Sequence, residues 1–77
     1  MWPDDRVRLR HMLDAAREAI AFTAGRSLQE FSADRMLALA VLKSIEIIGE
    51  AASRVSDETR SLLPDLPWGQ IVGIRKV

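Results

Sequence analysis

The 77-residue chain has no cysteine, one histidine, three prolines and four glycines. Without cysteine there is no disulfide framework and no thiolate metal site. One histidine excludes a His-rich metal cluster, so neither a metal nor another cofactor is expected. Net charge is missing too, since 11 Lys and Arg balance 11 Asp and Glu. That balance argues against a basic coat for general nucleic-acid binding, while leaving room for a local basic patch. No apolar run approaches the ~18–20 residues of a membrane span. The first residues, Met1-Trp2-Pro3-Asp4-Asp5, carry acid where a secretory signal carries base, and no apolar stretch of that kind follows. These absences predict a soluble, cytoplasmic protein that does not associate with a membrane.

What is there suits a globular fold: 48% of the residues are apolar. The length allows one domain, residues 1–77. A chain this short buries only ~60% of the surface it exposes when unfolded. With disulfides and metals excluded, helix packing or oligomerisation has to supply the rest.

Apolar residues recur with a helical period. Pro3 fits a first helical turn, Asp4 and Asp5 favour the positive end of the helix dipole, and a helix is predicted from Pro3 to Thr23. Leu9, Met12, Leu13, Ala16, Ala19, Ile20 and Thr23 share one arc of it, flanked by Arg6, Arg10 and Arg17. Gly25 suits the left-handed residue that follows a helix end. Ser27-Leu28-Gln29-Glu30 has the form of a capping box and starts a short helix ending near Phe31. Ser32 is then the expected cap of a long helix running to about Val55. Arg35, Lys43, Glu46, Glu50, Ser53 and Arg54 lie on its polar arc. Its apolar arc spans roughly 200°, against the ~100° that one buried face requires. Such a helix packs on two sides, and in so short a chain the second side points to another protomer. Ser56-Asp57-Glu58 starts a short helix to Leu63, and Pro67 suits the first position of a last helix to Val77. No segment alternates with period two. The expected fold is all-α, an antiparallel bundle of three main helices with one or two short ones. The last helix looks incomplete at Val77, so the domain is expected to continue beyond it.

Three sets of residues invite a chemical role. Trp68, Ile71, Val72 and Arg75 share one helix face by spacing, which puts a guanidinium on an apolar stripe. Such a group either pairs with a carboxylate or phosphate or snorkels to water. Glu46 and Glu50 stand one turn apart, bracketed by Lys43 and Arg54. By pattern they form a solvated, ion-paired face, or one of them orients Arg75. His11 falls on the polar side of the first helix with no nucleophile or orienting group near it in sequence, which fits a surface residue. Gly49 and Gly73 interrupt helical segments, belong to no phosphate-binding motif, and are expected to permit close helix approach. Trp2, Phe31 and Trp68 are expected as core or interface anchors.

Three stretches together resemble the HepT-like family of HEPN-superfamily ribonuclease toxins. They are Glu30-Phe31-Ser32-Ala33-Asp34-Arg35-Met36, then Leu42-Lys43-Ser44-Ile45-Glu46-Ile47-Ile48-Gly49-Glu50-Ala51-Ala52, then Leu66-Pro67-Trp68-Gly69-Gln70-Ile71-Val72-Gly73-Ile74-Arg75. The resemblance implies a HEPN-like helical bundle that forms a homodimer or higher oligomer. It also implies metal-independent cleavage of RNA and a partner, a minimal nucleotidyltransferase antitoxin. The family's R-x4-H-x-Y motif places its arginine on Arg75, where it would hold the scissile phosphate. Glu46 is the first candidate to orient that arginine and Glu50 the second. The motif's histidine and tyrosine would fall beyond Val77, His11 does not occupy the motif position, and the sequence has no tyrosine. The 77-residue form is therefore expected to be catalytically impaired. The alternatives are a non-catalytic module that dimerises or docks on the nucleotidyltransferase, and a purely structural helical oligomer.

Overall fold

The computed structural model describes residues 2–74, and every regular element in it is a helix: α1 (Pro3–Thr23), α2 (Leu28–Ala33), α3 (Arg35–Ser53), α4 (Asp57–Leu62) and α5 (Trp68–Gly73). The all-α expectation holds. The proportions differ from three main helices: two are long, at 21 and 19 residues, and the other three have six residues each. At 1.5 Å per residue the long pair run about 31 and 28 Å. They set the long dimension of a body measuring 42 × 20 × 19 Å.

Local chemistry sets the boundaries. Pro3 opens α1, and Gly25 follows its end at φ +71°, a conformation that costs glycine nothing. The capping box forms: the Glu30 N–H donates to Ser27 Oγ at 3.0 Å, and the Ser27 N–H reaches Glu30 Oε1 at 3.5 Å. α2 continues past Phe31 to Ala33, so Ser32 lies inside it and the cap of α3 falls to Asp34. Asp34 has the extended backbone a cap needs, and its Oδ1 accepts the Leu37 N–H at 3.0 Å. α3 stops at Ser53, short of Val55, and α4 stops at Leu62, short of Leu63. Pro67 is the cap of α5 rather than its first residue; its carbonyl accepts the Ile71 N–H at 3.0 Å. The described part of the last helix ends at Gly73, and residues 75–77 of its expected course lie outside the described residues.

α1 and α3 pack antiparallel. Asp5 meets Ser56 just past the end of α3, Arg8 and His11 share a cleft with Glu50 and Arg54, and Ala15 and Glu18 share one with Ile47. Small buried residues, Ala15 on α1 and Gly49, Ala51 and Ala52 on α3, let the two backbones approach. Ala52, Val55 and Trp68 form the core, with Leu9, Met12, Ile71 and Val72 packed against it. Leu13 and Ile20, expected on the buried arc of α1, are exposed because α3 sits along the Ala15 line instead. Gly49 is buried as expected of a close approach, whereas Gly73 is exposed with nothing within 4 Å of where a Cβ would stand. Of the aromatic anchors, Trp68 is buried and Phe31 half-buried, while Trp2 is 59% exposed.

Polar contacts lock this end of the bundle. The Asp5 carboxylate, only 3% exposed, accepts the Ser56 hydroxyl at 2.6 Å, the Ser56 N–H at 3.0 Å and the Thr59 hydroxyl. The Ser56 hydroxyl and then the Thr59 hydroxyl hold its pKa below the ordinary 3.8, because each bond favours the charged form. Trp2 Nε1–H donates to Glu58 at 3.1 Å and Trp68 Nε1–H to the Leu63 carbonyl at 3.0 Å. Arg60 donates to the Ala52 carbonyl at 2.9 Å and lies over the Trp68 ring at 5.5 Å. The Ala52 carbonyl also accepts the Val55 N–H at 3.2 Å, so Arg60 adds a side-chain bond to the last turn of α3. Among the described residues, no helix is long and apolar enough to cross a membrane.

Candidate functional site

Lys43, Glu46, Glu50 and Arg54 follow one another at steps of three and four residues, so they make one stripe along α3. The antiparallel packing sets Arg8 and His11 of α1 opposite that stripe. Between them lies an open cleft of about 380 Å³, with Ile47 and Ala51 also in its wall. Glu50 Oε1 accepts from Arg54 Nε at 3.2 Å, with both side chains about half exposed. The ion-paired face expected on α3 is therefore present, and an exposed pair of this kind is worth about 0.3–0.5 kcal/mol. Glu46 is half-buried in the same wall.

His11 is exposed, as the sequence suggested, but it does not stand apart from other functional groups. It faces the cleft with two carboxylates and three cations, and two further hollows also reach it. One is a groove of about 570 Å³ along α1, lined by Pro3, Arg6, Val7, Arg10 and His11. The other, of about 150 Å³, is bounded by Asp14, Ala15, Glu18 and Ile47. Arg10 pairs with Asp14 at 3.1 Å on the α1 surface. The register that joins His11 to Glu46 and Glu50 is a tertiary fact. The only trace of it in sequence is the three-residue step from Arg8 to His11, which puts both on one face of α1.

The structure thus brings Glu46 and Glu50 together and adds Arg8 and His11 to them. Arg75 lies outside the described residues, as does any contact between it and either glutamate. Its expected face-mates are placed: Trp68 is buried, and Ile71 and Val72 are half-buried against the Ala52–Val55 core. Chemically, cations of this kind hold phosphate, carboxylates accept hydrogen bonds from hydroxyl or amide groups, and an imidazole can donate or accept one. Among the described residues, no three His, Asp or Glu side chains are grouped to hold a metal ion.

Fold and cleft define a small helical-bundle protein with a charged groove between its two long helices. The chain belongs to the ribonuclease HepT-like family, whose pattern matches residues 12–77. The resemblance carried by the Glu46–Ala52 and Pro67–Arg75 stretches is thereby borne out. "Putative RNase MJ1380" of Methanocaldococcus jannaschii is 34% identical over 74 residues, 96% of this chain and 68% of that protein. "Putative RNase TTE0752" of Caldanaerobacter subterraneus subsp. tengcongensis is 36% identical over 70 residues, 91% of this chain and 62% of that protein. "Probable ribonuclease HepT" of Thermococcus cleftensis is 32% identical over 54 residues, 70% of this chain and 49% of that protein. The chain spans about half to two thirds of the length of these curated relatives. No solved structure matches it.

Proposed function

We propose that the chain is the body of a cytoplasmic toxin endoribonuclease of a toxin–antitoxin pair, cleaving RNA without a metal ion. The observation that carries this reading is the family match over residues 12–77 together with relatives named as RNases. In such a cleavage the RNA 2′-hydroxyl attacks the adjacent phosphorus, and a general base and acid move the protons. Arg75 would hold the phosphate and stabilise the charge developing on it, with Glu46, or failing that Glu50, orienting the guanidinium. The one histidine of these 77 residues, His11, is not at the motif position and is given no part in that proton transfer. The protein acts as a homodimer or higher oligomer, and its control partner is a minimal nucleotidyltransferase antitoxin.

The test is cleavage of a tRNA pool by the 77-residue chain and by a form extended through the R-x4-H-x-Y motif. The extended form should be about 10²–10⁴-fold faster, the usual contribution of general acid–base catalysis. Arg75→Ala should abolish its activity without unfolding it, and Arg75→Lys should restore only part, because an ammonium lacks the bidentate fork. Equal cleavage by both lengths would show that the chemistry lies elsewhere.

A second reading is a non-catalytic module that dimerises or docks on the nucleotidyltransferase, and the exposed apolar side chains of Ile20, Leu28, Met36 and Leu39 support the association it needs. Light scattering at micromolar concentration tests the association that both readings share. A stable, folded monomer would overturn it.

A further inference from the structure

The charges of this neutral chain are not spread evenly. Of the nine cationic side chains within residues 2–74, five line two grooves that meet at His11: Arg6 and Arg10 in one, Arg8, Lys43 and Arg54 in the other. Only two of the 11 carboxylates line the same grooves, Glu46 and Glu50. By their own linings the two grooves carry three net positive charges in a chain whose total is zero, while Asp14, bonded to Arg10, and Glu18 border the third hollow at His11. Two of the cations already have partners, Arg10 with Asp14 and Arg54 with Glu50. Both pairs are half exposed or more, so they are weak and a phosphate can replace the carboxylate. Arg6 and Lys43 are exposed and Arg8 is half-buried, all three on the walls of the tract.

We infer that these joined grooves are a track for a single RNA strand, with Arg6, Arg8 and Lys43 neutralising its phosphates and His11 against it where the grooves meet. Charge complementarity names an anionic occupant. The mixed wall narrows it to one that also donates hydrogen bonds, because Glu46 and Glu50 accept from ribose hydroxyls and base amines where a plain polyanion would only repel them. Apolar surface at Pro3 and Val7 gives a base face something to cover. The inference rests on the ribonuclease reading for the identity of the strand and extends it from the point of cleavage to the path of the substrate.

The experiment is fluorescence anisotropy of the full chain with a labelled 12-nucleotide 2′-O-methyl RNA, which cannot be cleaved through its 2′-hydroxyl. Neutralising three phosphates gives a log–log salt slope of about −2, so affinity should fall roughly 15- to 20-fold between 50 and 200 mM salt. The triple variant R6Q/R8Q/K43Q should bind at least tenfold more weakly with a slope near zero. R17Q/R35Q, which removes exposed charge outside the grooves, should bind like the parent, and circular dichroism should find both variants folded. His11 is the sole histidine, so its ring signals in NMR are unambiguous and should shift when RNA is added. The inference is overturned by absent RNA binding, by equal losses in both variants, or by binding that leaves the His11 ring unmoved. It is also overturned if a poly-glutamate peptide of equal charge binds as tightly and loses as much in the triple variant. Track-dependent binding by an extended form that cleaves nothing would support the track and refute the ribonuclease reading.

Discussion

The two ends of the bundle differ in how they are closed. At the end where α1 begins and α3 finishes, Ala52, Val55 and Trp68 are buried and Asp5 takes three hydrogen bonds from the start of α4. Arg60 adds a side-chain hydrogen bond to the Ala52 carbonyl there. At the other end, where α1 runs into α2 and α3 begins, Ile20 is 69% exposed, Leu28 80% and Met36 82%. The chain completes one end by itself and leaves the other apolar and open. Exposed apolar surface of this kind is open to cover by further protein surface. The buried core and the exposed apolar surface thus lie at opposite ends of the same two helices.

The contrast is easiest to break at the closed end. Trp68→Ala should lower the unfolding free energy by about 3–5 kcal/mol in urea titration, since it empties the core and removes the cover over Arg60. A loss no larger than that of a surface substitution would mean the closed end does not hold the fold. Asp5→Asn comes next and is sharper in its pH signature. The folded-state pKa of Asp5 is depressed, so its contribution is complete above the ordinary value of 3.8 and disappears as pH falls through the lower folded value. The variant should melt lower at pH 7, and its melting temperature should fall less steeply than the parent's below pH 4. Parallel acid limbs would remove Asp5 from the account. At the open end, Ile20→Ser and Leu39→Ser should change the stability of the monomer by no more than about 0.5 kcal/mol, as surface substitutions do, yet dissociate the oligomer in light scattering. The smallest effect belongs to the Arg10–Asp14 pair, which is 66% and 49% exposed. A double-mutant cycle there should give about 0.2–0.5 kcal/mol, vanishing at high salt.

The long helices were legible because each carries its own period, and Pro3 with the two aspartates also marks the start of α1. The handover between α2 and α3 was not, because Ser32 and Asp34 are both good caps two residues apart. Only the backbone decides, and it turns extended at Asp34. The α3 half of the cleft, Lys43 to Arg54, could be read from spacing. The α1 half could not, because the register between two antiparallel helices is not written in the period of either one. Asp5 shows the same limit. In sequence it is a helix-dipole aspartate, and its partners lie 51 and 54 residues away.

That separation also orders events during synthesis. Asp5 cannot acquire its hydrogen-bond donors until Thr59 has left the ribosome, 54 residues later. At about 5–20 residues per second, α1 waits roughly 3–11 s without the helices it packs on. A lone helix of this length is marginal in water. Leu9, Met12 and Ala15 stay in contact with water for that interval, so the newborn chain carries apolar surface that only its last third can cover.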